Sequence, residues 1–188
     1  MLTAKDIITD KDTKIREKSQ EVKLPLNAED EELAKALFEY VVNSTDEQLQ
    51  EENDLKPAVG ISAVQIGTPK KILAIAYDEE DEEGNKTGEV RYLLANAKII
   101  RNTVRTVYLA GGEGCLSVED DHEGYVQRAY KITVKAYDIL AKAEVLIEAE
   151  EYLAVVLQHE IDHFNGILYY DRINKTDPYY IPNNSVEI

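Results

Sequence analysis

The chain has 188 residues, of which 44% are apolar and 31% charged. That is the size of one folded domain (~100–200 residues), and the composition excludes a disordered or collagen-like chain. Lys and Arg number 21 against 37 Asp and Glu, a formal net charge of −16. Phosphate backbones and acidic membrane surfaces repel such a chain, so no general nucleic-acid binding and no membrane association are expected.

Cys115 is the one cysteine, so no internal disulfide can form. The opening Met1–Asp6 has no basic region leading into an apolar one, and no secretory leader is expected. The longest uncharged stretch, Pro57 to Pro69, falls well short of the ~20 residues of a spanning helix. These features together point to a cytoplasmic, monomer-sized protein.

In chain order, Pro25 breaks any helix in the first segment, and Asn27 then provides a helix start. Glu29, Asp30, Glu31 and Glu32 place negative charge at the positive end of that helix. Leu33, Leu37, Tyr40 and Val41 form one apolar stripe, as in a surface helix laid on a sheet. Ser44 to Asp54 either extends this helix or begins a second short one.

From Ala58 onward Gly60, Gly67 and Pro69 punctuate a segment of small residues. Ile72 to Tyr77 is an apolar run suited to a buried strand. Asp78 to Glu83 is an unbroken acidic block ending in Gly84-Asn85, which predicts a solvated hairpin loop. Val90 to Ile100, Thr103 to Leu109 and Ile132 to Ile139 have the β-branched and aromatic character of strands. Glu144 to Ile147 is placed to pair with the last of these. The one long helix of the second half is predicted over Glu150 to Asn165, with Gly166 at its stop.

That helix contains Gln158-His159-Glu160-Ile161-Asp162-His163. His159 and His163 are one turn apart on one face, so both imidazoles can reach a single ion at about 2.0–2.1 Å. Glu160 follows the first His and can lean over the same ion as a proton acceptor. Placing this many ionisable groups on an otherwise apolar helix is costly without compensation, and a metal supplies it.

A third ligand is required. A His six residues after His163 would serve one peptidase class, but Tyr169 stands there. A Glu on a later helix would serve another, but the only later one is Glu187, at the end of the chain. Cys115 and His122 remain. Cys115 lies in Gly111-Gly112-Glu113-Gly114-Cys115-Leu116-Ser117, where glycines allow close backbone approach. His122 lies in a charged loop, as a solvated histidine does. Cys115 is favoured. One thiolate and two imidazoles leave an open position, the mark of a catalytic site, and suit zinc, iron or cobalt over magnesium or calcium. A structural zinc site would need a fourth ligand, which only His122 could provide.

Three motifs, Ala58-Val59-Gly60-Ile61-Ser62-Ala63-Val64-Gln65, Glu113-Gly114-Cys115-Leu116-Ser117 and Gln158 through Gly166, resemble those of peptide deformylases over most of the chain. Val118 after the second motif and the acidic insertion at Asp78 to Glu89 resemble the second type of that family, found in Gram-positive bacteria and their wall-less relatives. Ala58 stands where the family usually has Gly.

The resemblance implies an α+β fold of mixed, mostly antiparallel sheets around a buried C-terminal metal-binding helix, as one catalytic domain over residues 1–188. It implies removal of the N-formyl group from the N-terminal methionine of new polypeptides, with release of formate. A metallopeptidase or other metal-dependent amidase is the alternative. In the implied site, Cys115, His159 and His163 hold one divalent ion, natively Fe2+, with Zn2+, Ni2+ or Co2+ as substitutes. Glu160 is the general acid and base. Gln65 donates its side-chain amide, and Leu116 its main-chain N–H, to the oxyanion. Val59, Gly60 and Gly114 line the peptide cleft, and Tyr152 and Val155 wall the methionine pocket. Glu113 braces the second motif through Arg128. The implied partner is the N-formylmethionyl nascent peptide, met in transient proximity to the ribosome.

Overall fold

The computed structural model describes residues 1–81 and 83–188. Helix α1 (Ala28–Asn43) begins where Asn27 accepts a hydrogen bond from the Asp30 N–H. Lys70 pairs with Glu29 and with the buried Asp30, at 2.8 and 2.7 Å. The inward face is Ala34, Leu37, Tyr40 and Val41, with Leu33 half-buried beside it. A separate short helix follows, α2 (Glu47–Asn53).

The main sheet takes its five strands from β1 (Gly60–Ser62), β2 (Ile72–Glu80), β3 (Lys86–Asn102), β6 (Lys131–Asp138) and β7 (Ala143–Glu150), adjacent in that order and antiparallel throughout. A three-stranded sheet joins β4 (Thr106–Tyr108) to β5 (Arg128–Ala129) antiparallel and to β8 (Ser185–Glu187) parallel. Helix α3 (Glu151–His163) carries the His-Glu-x-x-His string. This is the expected α+β arrangement, with α3 as its buried helix.

Strand β2 explains why its sequence is an unbroken apolar run. Leu73 and Ile75 face α3, in a core with Leu94, Ile132, Leu157 and Ile161. Ile72, Ala74 and Ala76 face α1, in a second core with Leu37, Tyr40 and Val41. A strand covered on both faces loses the usual alternation of apolar and polar residues.

The acidic block departs from its expectation. Asp78, Glu79 and Glu80 belong to β2 and pair with β3; the turn lies beyond them, where Gly84 adopts φ +81° and its N–H bonds the Asp81 carbonyl. Position 82, also in the predicted loop, lies outside the described residues. Strand pairing continues through the acids because Lys86 and Arg91 reach Asp78 at 2.9 and 2.7 Å.

No loop separates β7 from α3. Glu150 is extended and Glu151 turns to φ +53°, a left-handed conformation unfavourable for a side chain with a Cβ. Two hydrogen bonds to Tyr130 hold it: the Glu151 N–H bonds the Tyr130 carbonyl, and the Tyr130 hydroxyl donates to the Glu151 carboxylate at 2.7 Å. Gly166 stops the chain after α3 as expected, at φ +69°. A Cβ there would lie 2.2 Å from the Arg16 carbonyl oxygen, so the glycine also admits the N-terminal segment. No helix among the described residues is long and apolar enough to cross a membrane.

Candidate metal centre

Helix α3 presents His159 and His163 on one face, with ring centroids 5.0 Å apart. The glycine-rich segment after β4 brings Cys115 to them. Its Sγ lies 3.4 Å from His163 Nε2, and one donor atom from each of Cys115, His159 and His163 falls within a mutual 4.8 Å. His159 Nδ1 is 2.8 Å from a Glu113 carboxylate oxygen. That contact assigns the ring proton to Nδ1 and leaves Nε2 as the free donor to an ion. One sulfur and two imidazole nitrogens, gathered in a largely buried spot, fit a borderline-soft divalent ion. His122 is exposed and outside the group; its ring lies against that of Tyr170 at 4.0 Å.

The expected pairing of Glu113 with Arg128 is present and is bidentate, with both bonds at 2.8 Å. It belongs to a longer chain of charges. Arg128, 2% exposed, also donates to Asp162 on α3, and Arg172 donates to the same carboxylate. Two carboxylates and two guanidiniums balance, which makes the burial tolerable. Burial opposes ionisation of Glu113, but hydrogen bonds and charge from Arg128 and His159 outweigh it and hold the carboxyl at about 2. Glu113 therefore stays a carboxylate, and the His159 ring stays oriented. Asp162 and Arg172 were not foreseen as site residues. The signal available was weak: Asp162 is a second acid on an apolar helix, and its partners lie far off in sequence.

Glu160 is 4% exposed, and burial pushes its carboxyl up. Strand β1 lies against it. A Cβ on Gly60 would sit 2.5 Å from Glu160 Oε1, so this glycine is required by the neighbouring carboxylate. Ser62 Oγ lies 2.8 Å from Glu160 Oε2, a contact that the sequence reading did not anticipate.

Gln65 is buried with a determined orientation. Its Oε1 accepts from the Ser62 N–H at 2.8 Å. Its amide nitrogen is thereby turned toward Ser117 Oγ, at 3.3 Å, and Cys115 Sγ, at 3.7 Å. A cleft of about 640 Å³ opens above this group. Val59, Gly60, Gly114, Leu116, Tyr152 and Val155 line it with Gln65, Cys115, His159 and Glu160. Every residue expected at the peptide cleft or the methionine pocket is thus on its wall.

The match to a family model described as polypeptide deformylase runs over residues 4–179. The chain belongs to that family. Curated peptide deformylases of Oceanobacillus iheyensis and Staphylococcus epidermidis are 42% and 40% identical to it, each over 188 residues, covering both chains in full. Among solved structures, a peptide deformylase from Ehrlichia chaffeensis has 32% identity and a TM-score of 0.70, over 90% of this chain and 88% of that one. Peptide deformylases are metal-dependent hydrolases that remove the N-formyl group from nascent peptides, and the Cys115, His159 and His163 cluster gives this member a group suited to a metal.

Proposed function

We propose that Cys115, His159 and His163 hold one divalent ion and that this deformylase cleaves N-formylmethionyl peptides in the cleft above it, as a single catalytic domain over residues 1–188. The observation that carries this reading is the convergence of one sulfur and two imidazole donors within 4.8 Å at the cleft, with Glu160 on the same helix. Fe2+ is the native ion, and Ni2+, Co2+ or Zn2+ can replace it on a thiolate and imidazole set. When bound, the ion supplies Lewis acidity that makes a water molecule acidic near neutral pH.

The remaining chemistry belongs to the side chains. Glu160 takes the proton of the attacking water and returns it to the departing nitrogen. A carbon–oxygen bond forms at the formyl carbon and the carbon–nitrogen bond breaks, giving formate and a free amine. Gln65 Nε2, held by the Ser62 N–H bond to Oε1, and the Leu116 N–H donate to the oxygen that gains charge. The edge formed by Val59 and Gly60 accepts the peptide as an added strand, with Gly114 across the cleft. Tyr152 and Val155 wall the methionine pocket.

The enzyme works as a cytoplasmic monomer that meets nascent chains near the ribosome. Its charge of −16 keeps that encounter transient, since ribosomal RNA repels it. Protein purified without oxygen and loaded with iron or nickel is expected to release formate from a formyl-methionyl tripeptide. The acetylated tripeptide and an unmodified peptide should stay intact. Cleavage of the unmodified peptide with no formate release would favour a metallopeptidase instead.

A further inference from the structure

Gly60 and Ser62 are two apart on β1, so their side-chain positions share one face of the strand. That face meets Glu160. At Gly60 the absence of a Cβ makes room for Oε1. At Ser62 the fully buried hydroxyl lies 2.8 Å from Oε2 and 2.9 Å from the main-chain oxygen of Glu160. Ser62 is the only hydrogen-bond partner of this carboxylate among the described residues.

We propose that Ser62 is a positioning residue for proton transfer: its hydroxyl holds Oε2 of Glu160 and leaves Oε1 as the oxygen that receives and returns the proton. The proposal rests on the role assigned to Glu160 above.

A serine hydroxyl has one hydrogen to donate. While Glu160 is ionised, that hydrogen goes to Oε2 in a charge-assisted bond. Once Oε1 carries the proton from water, the hydrogen can turn to the main-chain oxygen of Glu160, which is equally near. Both states of the carboxyl then leave the buried hydroxyl satisfied. The proton passes from water to Oε1 and from Oε1 to the departing nitrogen. The hydrogen of Ser62 is not transferred. Ser62 is fully buried and is not among the residues that line the cleft. Its removal should slow the chemical step and leave peptide binding unchanged.

The test compares formate release by the iron- or nickel-loaded wild type, Ser62→Ala, Glu160→Asp and the double variant. Ser62→Ala is expected to lower kcat by about tenfold, the scale of one charge-assisted bond. KM should stay within about twofold, and ion content should not change. In Glu160→Asp the shorter carboxylate does not reach Ser62, so adding Ser62→Ala should cost little more. Ser62→Cys keeps the side-chain shape with a weaker donor, and should also lose kcat; it gives the reading if the alanine variant does not fold. Wild-type kcat in the folded variants overturns the proposal while leaving the deformylase reading intact. So does the same loss in both Glu160 backgrounds, or a loss confined to KM. A wild type that releases no formate overturns the reading itself, and this proposal with it.

Discussion

Glu160→Gln retains the ion and loses turnover by about 10²- to 10⁴-fold, the contribution of a positioned acid and base. The substitution keeps the side-chain length, and an amide oxygen can still accept from Ser62, which lies 2.8 Å away. The cleft wall and the Cys115, His159 and His163 group therefore remain in place. What is lost is the ability to take a proton from water and hand it to the amine. Burial pushes the Glu160 carboxyl up, toward the working pH, which is the direction a proton carrier needs. The check is kcat together with ion content on the same preparation. A variant that turns over normally removes Glu160 from the mechanism, and one that loses its ion makes Glu160 part of the binding group.

Cys115→Ala loses both the ion and the activity. Two imidazoles remain after the thiolate is gone, and no other Cys or His belongs to the donor group found among the described residues. The fall in affinity should exceed the ~10–100-fold that loss of a mere outer partner brings. His122→Ala is the companion variant. His122 is exposed and lies against Tyr170 outside the donor group, so that variant should keep ion and turnover. Ion content after gel filtration and formate release distinguish the two. Loss of the ion from His122→Ala would instead indicate a four-ligand structural site.

The part of the site that lies on one helix was legible in the sequence. His159, Glu160 and His163 are tied by a helical repeat, and their relative placement follows from one turn of α3. Cys115 could be reached because the chain offers only three His and one Cys. Several contacts built across long separations were not legible. Ser62 reaches a residue 98 positions away, and Arg128 a residue 34 positions away, so no local pattern announces either contact. The packing of Gly60 against Glu160 was not legible either, because it exists only once β1 and α3 are together.

The fold followed the same division. The double-faced apolar run of β2, the Asn27 cap and the Gly166 stop are local, and each was visible. The left-handed turn at Glu151 was not, because it depends on Tyr130, supplied by the segment between β5 and β6. Nor was the extension of strand pairing through Asp78, where Lys86 and Arg91 offset the charge repulsion.

The most direct test of metal-dependent deformylation is a titration. Apoprotein is loaded stepwise with Fe2+ or Ni2+ without oxygen, and formate release from a formyl-methionyl tripeptide is measured at each step. No formate from the apoprotein and a rise that saturates at one ion per chain are the predicted results. Formate release by the apoprotein, or none from a folded protein carrying one ion at the Cys115 site, would contradict it.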